Sequence, residues 1–95
     1  MSSRPRITDL VATAAGSRER DTGLLAWLRF RIDDLVVLDG VALRRTRDGR
    51  HVLSFPIRHD AQGRQHPVVR PVDDAARRSL EHAVLSALGL GESAP

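Results

Sequence analysis

Ninety-five residues and 10.5 kDa allow one small domain, which buries only about 60–65% of its unfolded surface and is marginal on burial alone. Cysteine is absent, which excludes disulfide staples, thiolate metal ligands and thiol chemistry. The formal charge is +3, but all 15 basic residues are arginine and neither lysine nor tyrosine is present, so almost nothing titrates between the histidines and the arginines and the pI reaches about 11.2.

Residues 6–14, short, β-branched and partly alternating, predict a first strand. Residues 16–23 read as a polar loop closed by glycines. Residues 24–32 form the clearest strand: Leu24, Ala26, Leu28, Phe30 and Ile32 fall on one face, with Leu25, Trp27, Arg29 and Arg31 on the other. Asp33-Asp34 reads as a turn. Residues 35–43 are apolar on both faces around Asp39-Gly40, which signals either a type I′ hairpin or a bulge bending one long strand.

Asp48-Gly49 marks the next turn, and residues 51–57 follow as a strand ended by Pro56. Residues 60–63 turn again, and 66–70 form a short strand that Pro67 and Pro71 confine to an edge. From Asp73 the period changes: Ala76, Leu80, Ala83, Val84, Ala87 and Leu88 share one helix face, with Asp73 or Asp74 as N-cap and Gly89 as the stop. Asp74–Arg78 and Arg77–Glu81 are placed to pair across one helical turn. The expected architecture is α+β: a small antiparallel or mixed sheet of about five strands with one C-terminal helix packed on it. A single domain is expected over 6–88, with flexible tails at 1–5 and 89–95. No apolar run approaches the roughly 18 residues of a membrane span, and no signal-peptide core follows the first residues, so a cytoplasmic protein without a membrane partner is expected.

The charge is unevenly spread. Residues 1–43 carry six Arg against six acids, 44–70 seven Arg against Asp48 and Asp60, and 71–95 two Arg against four acids. The positive excess therefore lies in the middle of the chain.

Ile7-Thr8-Asp9-Leu10, Leu35-Val36-Val37-Leu38-Asp39 and Phe55-Pro56 stand in an order that resembles the SpoVG family, the stage V sporulation or septation protein G. Arg58-His59, Gly63, Val68, Pro71-Val72, Arg77 and Ala83-Val84-Leu85 continue the pattern without a gap from Phe55 to Leu85. Small insertions are needed near Ile32 and between Asp39 and Phe55. The resemblance implies a small sheet with a C-terminal helix, a homodimer formed by strand pairing, and binding of DNA and RNA in bacterial regulation of sporulation or septation. It also implies a long, bent strand around Asp39, which favours the bulge there. The chain departs from the family at Ile57 and His59, where the family has a polar residue and a cation, and at Ala61-Gln62 in the turn.

Arg44, Arg45, Arg47 and Arg50 flank one turn, and Arg58, His59, Arg64 and Arg70 lie on or beside the following hairpin. The guanidinium fork suits phosphate oxygens, so these residues could form one basic rim. Arg77 and Arg78, in the first half of the helix, could join its N–H groups around a phosphate; the alternative for Arg77 is pairing with Glu81. The bland alternative for the block is a solvated surface in an arginine-rich chain. Only Trp27, Phe30 and Phe55 are aromatic, which leaves little for a single-strand stacking platform of the OB or RRM kind.

No metal site or cofactor is expected: cysteine is absent and no carboxylate stands at ligand spacing from His51, His59, His66 or His82. His51 and Ser54, three apart on a strand, point to opposite faces, and neither adjacent Asp pair reads as an acid–base couple. Gly16 to Gly23 lacks the Gly-Lys-Ser/Thr of a phosphate loop. The expectation is a non-enzymatic nucleic-acid-binding homodimer; the alternative is a non-catalytic interaction module whose basic face meets an acidic protein.

Overall fold

The structure, a computed structural model, describes residues 4–90. Its elements run β1 (Ile7–Ala14), α1 (Ser17–Asp21), β2 (Leu24–Ile32), β3 (Val36–Arg45), β4 (His51–Ser54), β5 (Ile57–His59), β6 (Gln65–Pro67) and α2 (Asp74–Ala87). The α+β class with its C-terminal helix is as the sequence predicts, and the strands divide into an antiparallel sheet in the order β1-β2-β3-β4 and a separate β5-β6 ribbon. Of the expected tails, residues 1–3 and 91–95 lie outside the described residues. Gly89 and Leu90 belong to the helix end, where their N–H groups donate to the Ser86 and Leu85 carbonyls at 3.0 and 2.9 Å.

Asp33 and Asp34, with φ of 52° and 57°, make the type I′ turn between β2 and β3, closed by Leu35 N–H on Ile32 O at 2.9 Å. Asp39-Gly40 does not turn the chain. Leu28 faces Val41 and Arg29 faces Asp39, so Gly40, with φ of 78°, is an extra residue that bulges one long strand. A second shift between Leu24 and Ala26 corrects the predicted facing of β2: Leu24 opposes Arg44 and joins Ala15 and Ala42 on the outer face, while Leu25 packs towards the main core. Residues 16–23 are more than a loop, since 17–21 close one helical turn too short to leave a periodic signal. The strand predicted over 51–57 ends at Ser54. Pro56 lacks an N–H to continue the ladder, and Ile57 opens the ribbon instead. The last strand, predicted at 66–70, is Gln65–Pro67, paired only with β5.

Phe30, Leu28, Val41, Leu43 and Leu53 meet Val84 of α2 in the core, with Leu80, Leu85 and Leu88 packed around them. Each fully buried member contributes about 1.5–3 kcal/mol. Asp73 caps α2 by accepting from Ala76 N–H at 2.8 Å. The helix also seals the sheet edge. Glu81 accepts the Leu53 N–H at 3.0 Å and Arg77 donates to the Leu53 carbonyl at 3.2 Å, so both polar groups of that β4 residue are satisfied without another strand. The opposite face of the sheet carries only the small cluster Ala15, Leu24 and Ala42, and Val11, Trp27 and Val37 on it are exposed.

Candidate nucleic-acid interface

The basic turn is a three-residue hairpin loop. Thr46 N–H donates to Arg50 O at 2.8 Å, Gly49 N–H to Thr46 O at 3.0 Å, and Gly49 takes φ of 88° as the bulge residue. The same device recurs at the ribbon tip. There Asp60 N–H donates to Arg64 O and Gly63 N–H to Asp60 O, both at 2.9 Å. In each turn the first side chain, Thr46 or Asp60, accepts the backbone N–H four residues on.

Alternation splits the adjacent arginines. Arg45 pairs in register with His51 on the helix-bearing face, continuing Leu43 and Leu53; Arg44 pairs with Val52 on the outer face. Gly23 then brings α1 against this end of β3. Arg45 N–H donates to Gly23 O at 2.8 Å, and a Cβ on Gly23 would meet the Arg45 carbonyl oxygen at 2.8 Å. This close approach places Arg20 beside Arg45, Arg47 and His51 in a depression of about 550 Å³, together with Thr46 and Asp21. A second depression of about 420 Å³ lies on the far side of His51, between β4 and α2, and is lined by Arg4, Arg78, Glu81 and His82. His51 borders both, so the two form one basic surface across the end of the sheet.

The fates of the predicted residues differ. Arg45, Arg47 and Arg78 line this surface, and none has a carboxylate within ion-pair distance among the described residues. Arg50 pairs with Asp48 at 3.3 Å. The Thr46 hydroxyl donates to Asp48 and, with Arg50 beside it, holds that carboxyl below its ordinary range. Arg64 pairs with Asp60 at 2.7 Å, and His66 Nε2–H donates to the same carboxylate at 2.9 Å. The imidazole, the Arg64 N–H and guanidinium, and the Gln62 N–H together lower Asp60 to about 2.

Arg77 is drawn inward: it holds Leu53, pairs with Glu81 at 3.5 Å and lies over the Phe55 ring at 5.7 Å. The Asp74–Arg78 pair does not form among the described residues, which leaves Arg78 to the depression. Arg58 and His59 are exposed on the ribbon, Arg58 opposite His66 and His59 opposite Gln65, and Arg70 is exposed in the loop after it. The predicted block is therefore divided between the end of the sheet and the ribbon.

Arg4, Arg20 and His51 also join the surface, and nothing in the sequence pattern marks Arg4 or His51 for it. Gly23 is the one signal for Arg20, and its meaning depends on a strand twenty residues on. Among the described residues no group of three His, Asp or Glu side chains could hold a metal ion, and no helix is long and apolar enough to cross a membrane. The chain matches no protein-family model and no curated protein.

Proposed function

We propose that this chain is a non-catalytic nucleic-acid-binding protein of the SpoVG type, acting in the bacterial cytoplasm as a homodimer on DNA and RNA. The observation that carries the reading is the gathering of Arg4, Arg20, Arg45, Arg47 and Arg78 around His51 at one end of the sheet. Of the neighbouring acids, Asp48 and Glu81 are taken up by internal partners, and Asp21 remains at the edge of the larger depression. These guanidiniums have no carboxylate partner among the described residues, and only Arg20 is otherwise engaged, its Nε–H donating to the Ala15 carbonyl at 3.1 Å. On a rigid sheet end they suit a row of phosphate oxygens, and two such ends in a dimer double the footprint. Self-association is supported by the β3 edge: β4 covers only Ala42–Arg45, so residues 36–41 present an unpaired edge beside exposed Leu35, Val36 and Val37.

Fluorescence anisotropy of labelled duplex DNA, single-stranded DNA and RNA, titrated over a range of salt, tests the reading. Five arginine–phosphate pairs per protomer correspond to a log–log slope of roughly −4 to −5 on duplex for one basic end, at about 0.9 per phosphate, and to about twice that for a dimer engaging both ends. A folded protein that retains no nucleic acid at low salt would overturn it and pass the basic surface to an acidic protein partner.

A further inference from the structure

Trp27 lies on the face of the sheet opposite α2, which no helix covers among the described residues, and 43% of its surface is exposed. Its register neighbours explain why. Thr13 on β1 and Ala42 on β3 stand directly opposite it, and both are too small to roof an indole. A hollow of about 150 Å³ opens beside it, bordered by Val11, Thr13, Arg29 and Asp39. Arg29 follows two residues along the same strand, and Arg44 lies on the same face of β3, two residues beyond Ala42. Neither guanidinium has a carboxylate within ion-pair distance among the described residues, whereas Arg31 further along is engaged by Asp9 at 3.5 Å and Asp34 at 3.7 Å.

We propose that this open face is a second nucleic-acid subsite, on which one unpaired base of a single strand stacks on Trp27 while Arg29 and Arg44 take the flanking phosphates. The proposal rests on the nucleic-acid reading above and adds the form of the ligand. Protein–protein interface cores are depleted of charge, and this face is not: Arg29 and Asp39 border the hollow beside the indole, and Arg44 lies further along the same face. An aromatic ring flanked by free guanidiniums is the composition of a single-strand site. Asp39, an acceptor beside the ring, suits the amino group of a base. Arg44 and Arg45 are consecutive but on opposite faces of β3, so a strand leaving Trp27 reaches the basic surface by passing round the end of the sheet. The scarcity of aromatics argues against an extended stacking platform; the structure buries Phe30 and half-buries Phe55, and a single exposed ring is enough for one base.

Trp27 is the only tryptophan and tyrosine is absent, so intrinsic emission reports this face alone. A mixed-sequence DNA single strand of about twelve nucleotides is expected to quench that emission with the same midpoint as its anisotropy change. A duplex should bind at the basic end without quenching. Trp27→Ala is expected to weaken single-strand binding by roughly 5- to 150-fold, Trp27→Phe to restore much of it, and both to leave duplex affinity unchanged. Quenching on the unmodified chain keeps the test valid if the alanine variant fails to fold. Single-strand binding with unchanged emission would overturn the proposal, as would a concentration-dependent blue shift without nucleic acid, which would mean that a second copy covers the face. If neither single strand nor duplex binds, the functional reading itself has failed; duplex binding without single-strand quenching removes only the subsite.

Discussion

Arg77 and Arg78 are neighbours in sequence with different work to do. Arg77 bonds the Leu53 carbonyl and Glu81 and lies over Phe55, so its charge is engaged in fastening α2 to β4. Arg78 lines the depression shared with Arg4 and His51. Arg77→Ala is therefore expected to lower stability by about 1 kcal/mol, the usual worth of a removed hydrogen bond, while leaving the salt slope of binding unchanged. Replacing Arg45 and Arg47 by Ala should do the reverse: unfolding is unmoved, affinity falls for every duplex sequence alike, and the slope shrinks by about 1 for each phosphate no longer neutralised. Chemical denaturation beside salt-dependent anisotropy separates the two. That the middle of the chain is basic was legible from counting; which arginines remain available was not, because Asp48, Asp60 and Glu81 engage their partners through turn and helix geometry.

Asp60 adds a pH dependence at the same scale. Its carboxyl is lowered to about 2 from an ordinary 3.8, chiefly by the His66 imidazole and the Arg64 N–H. A depressed folded value means that the ionised form favours the fold, so this contribution is complete above about pH 4 and is lost as pH falls towards 2. The ribbon tip is expected to open in that window, seen as loss of amide-exchange protection at Gly63 and Arg64. In Asp60→Asn the same window should be flat.

At the scale of elements, the turns were the most legible features and the bulges the least. Asp33-Asp34, Asp48-Gly49 and the Gly63 turn carry residues that accept positive φ, and each turns the chain where expected. The bulge that leaves Leu25 without an opposite residue has no such marker, so the inward assignment of Leu24 fails by one step of alternation. α1 was missed because five residues hold too little of a 3.6-residue period. Its placement nonetheless depends on one readable residue. Gly23 has φ of 98°, and a Cβ there would stand 2.8 Å from the Arg45 carbonyl oxygen, which is backbone and cannot swing aside. Gly23→Ala is expected to cost about 1–3 kcal/mol in thermal or denaturant unfolding. It should also weaken duplex binding, since the shift that relieves the clash carries Arg20 away from Arg45 and Arg47.

At the scale of the whole molecule, the isolated chain is more extended than a self-contained domain of its length. Its radius of gyration is 13.8 Å, against about 12 Å expected for a compact chain, and its extents are 42 × 28 × 24 Å. Among the described elements the strands of the β5-β6 ribbon neighbour only each other, and Ile57 on the ribbon is exposed. A two-stranded ribbon is marginal alone and gains from packing against further structure, which the proposed dimer would supply. The class of fold was readable in the change from strand to helix period; the division into four strands and two was not, because Pro56 marks a break without saying where the chain resumes. The edges decide where a partner can pair. At β4, Arg77 and Glu81 occupy the Leu53 backbone, which closes the middle of that edge. The 36–41 edge of β3 is open, and Leu35 and Val37 beside it are 83% and 57% exposed. Strand pairing there would extend the sheet in its own plane, double the basic ends and leave both Trp27 faces open. Val37→Lys places a charge at this edge without disturbing the core. If the proposed dimer pairs here, the variant is expected to run as a folded monomer in light scattering after gel filtration where the unmodified chain runs as a dimer, and to bind duplex with lower affinity and a salt slope near half that of the unmodified chain. A dimer that survives Val37→Lys, with Val36→Lys equally without effect, would move the pairing to β1.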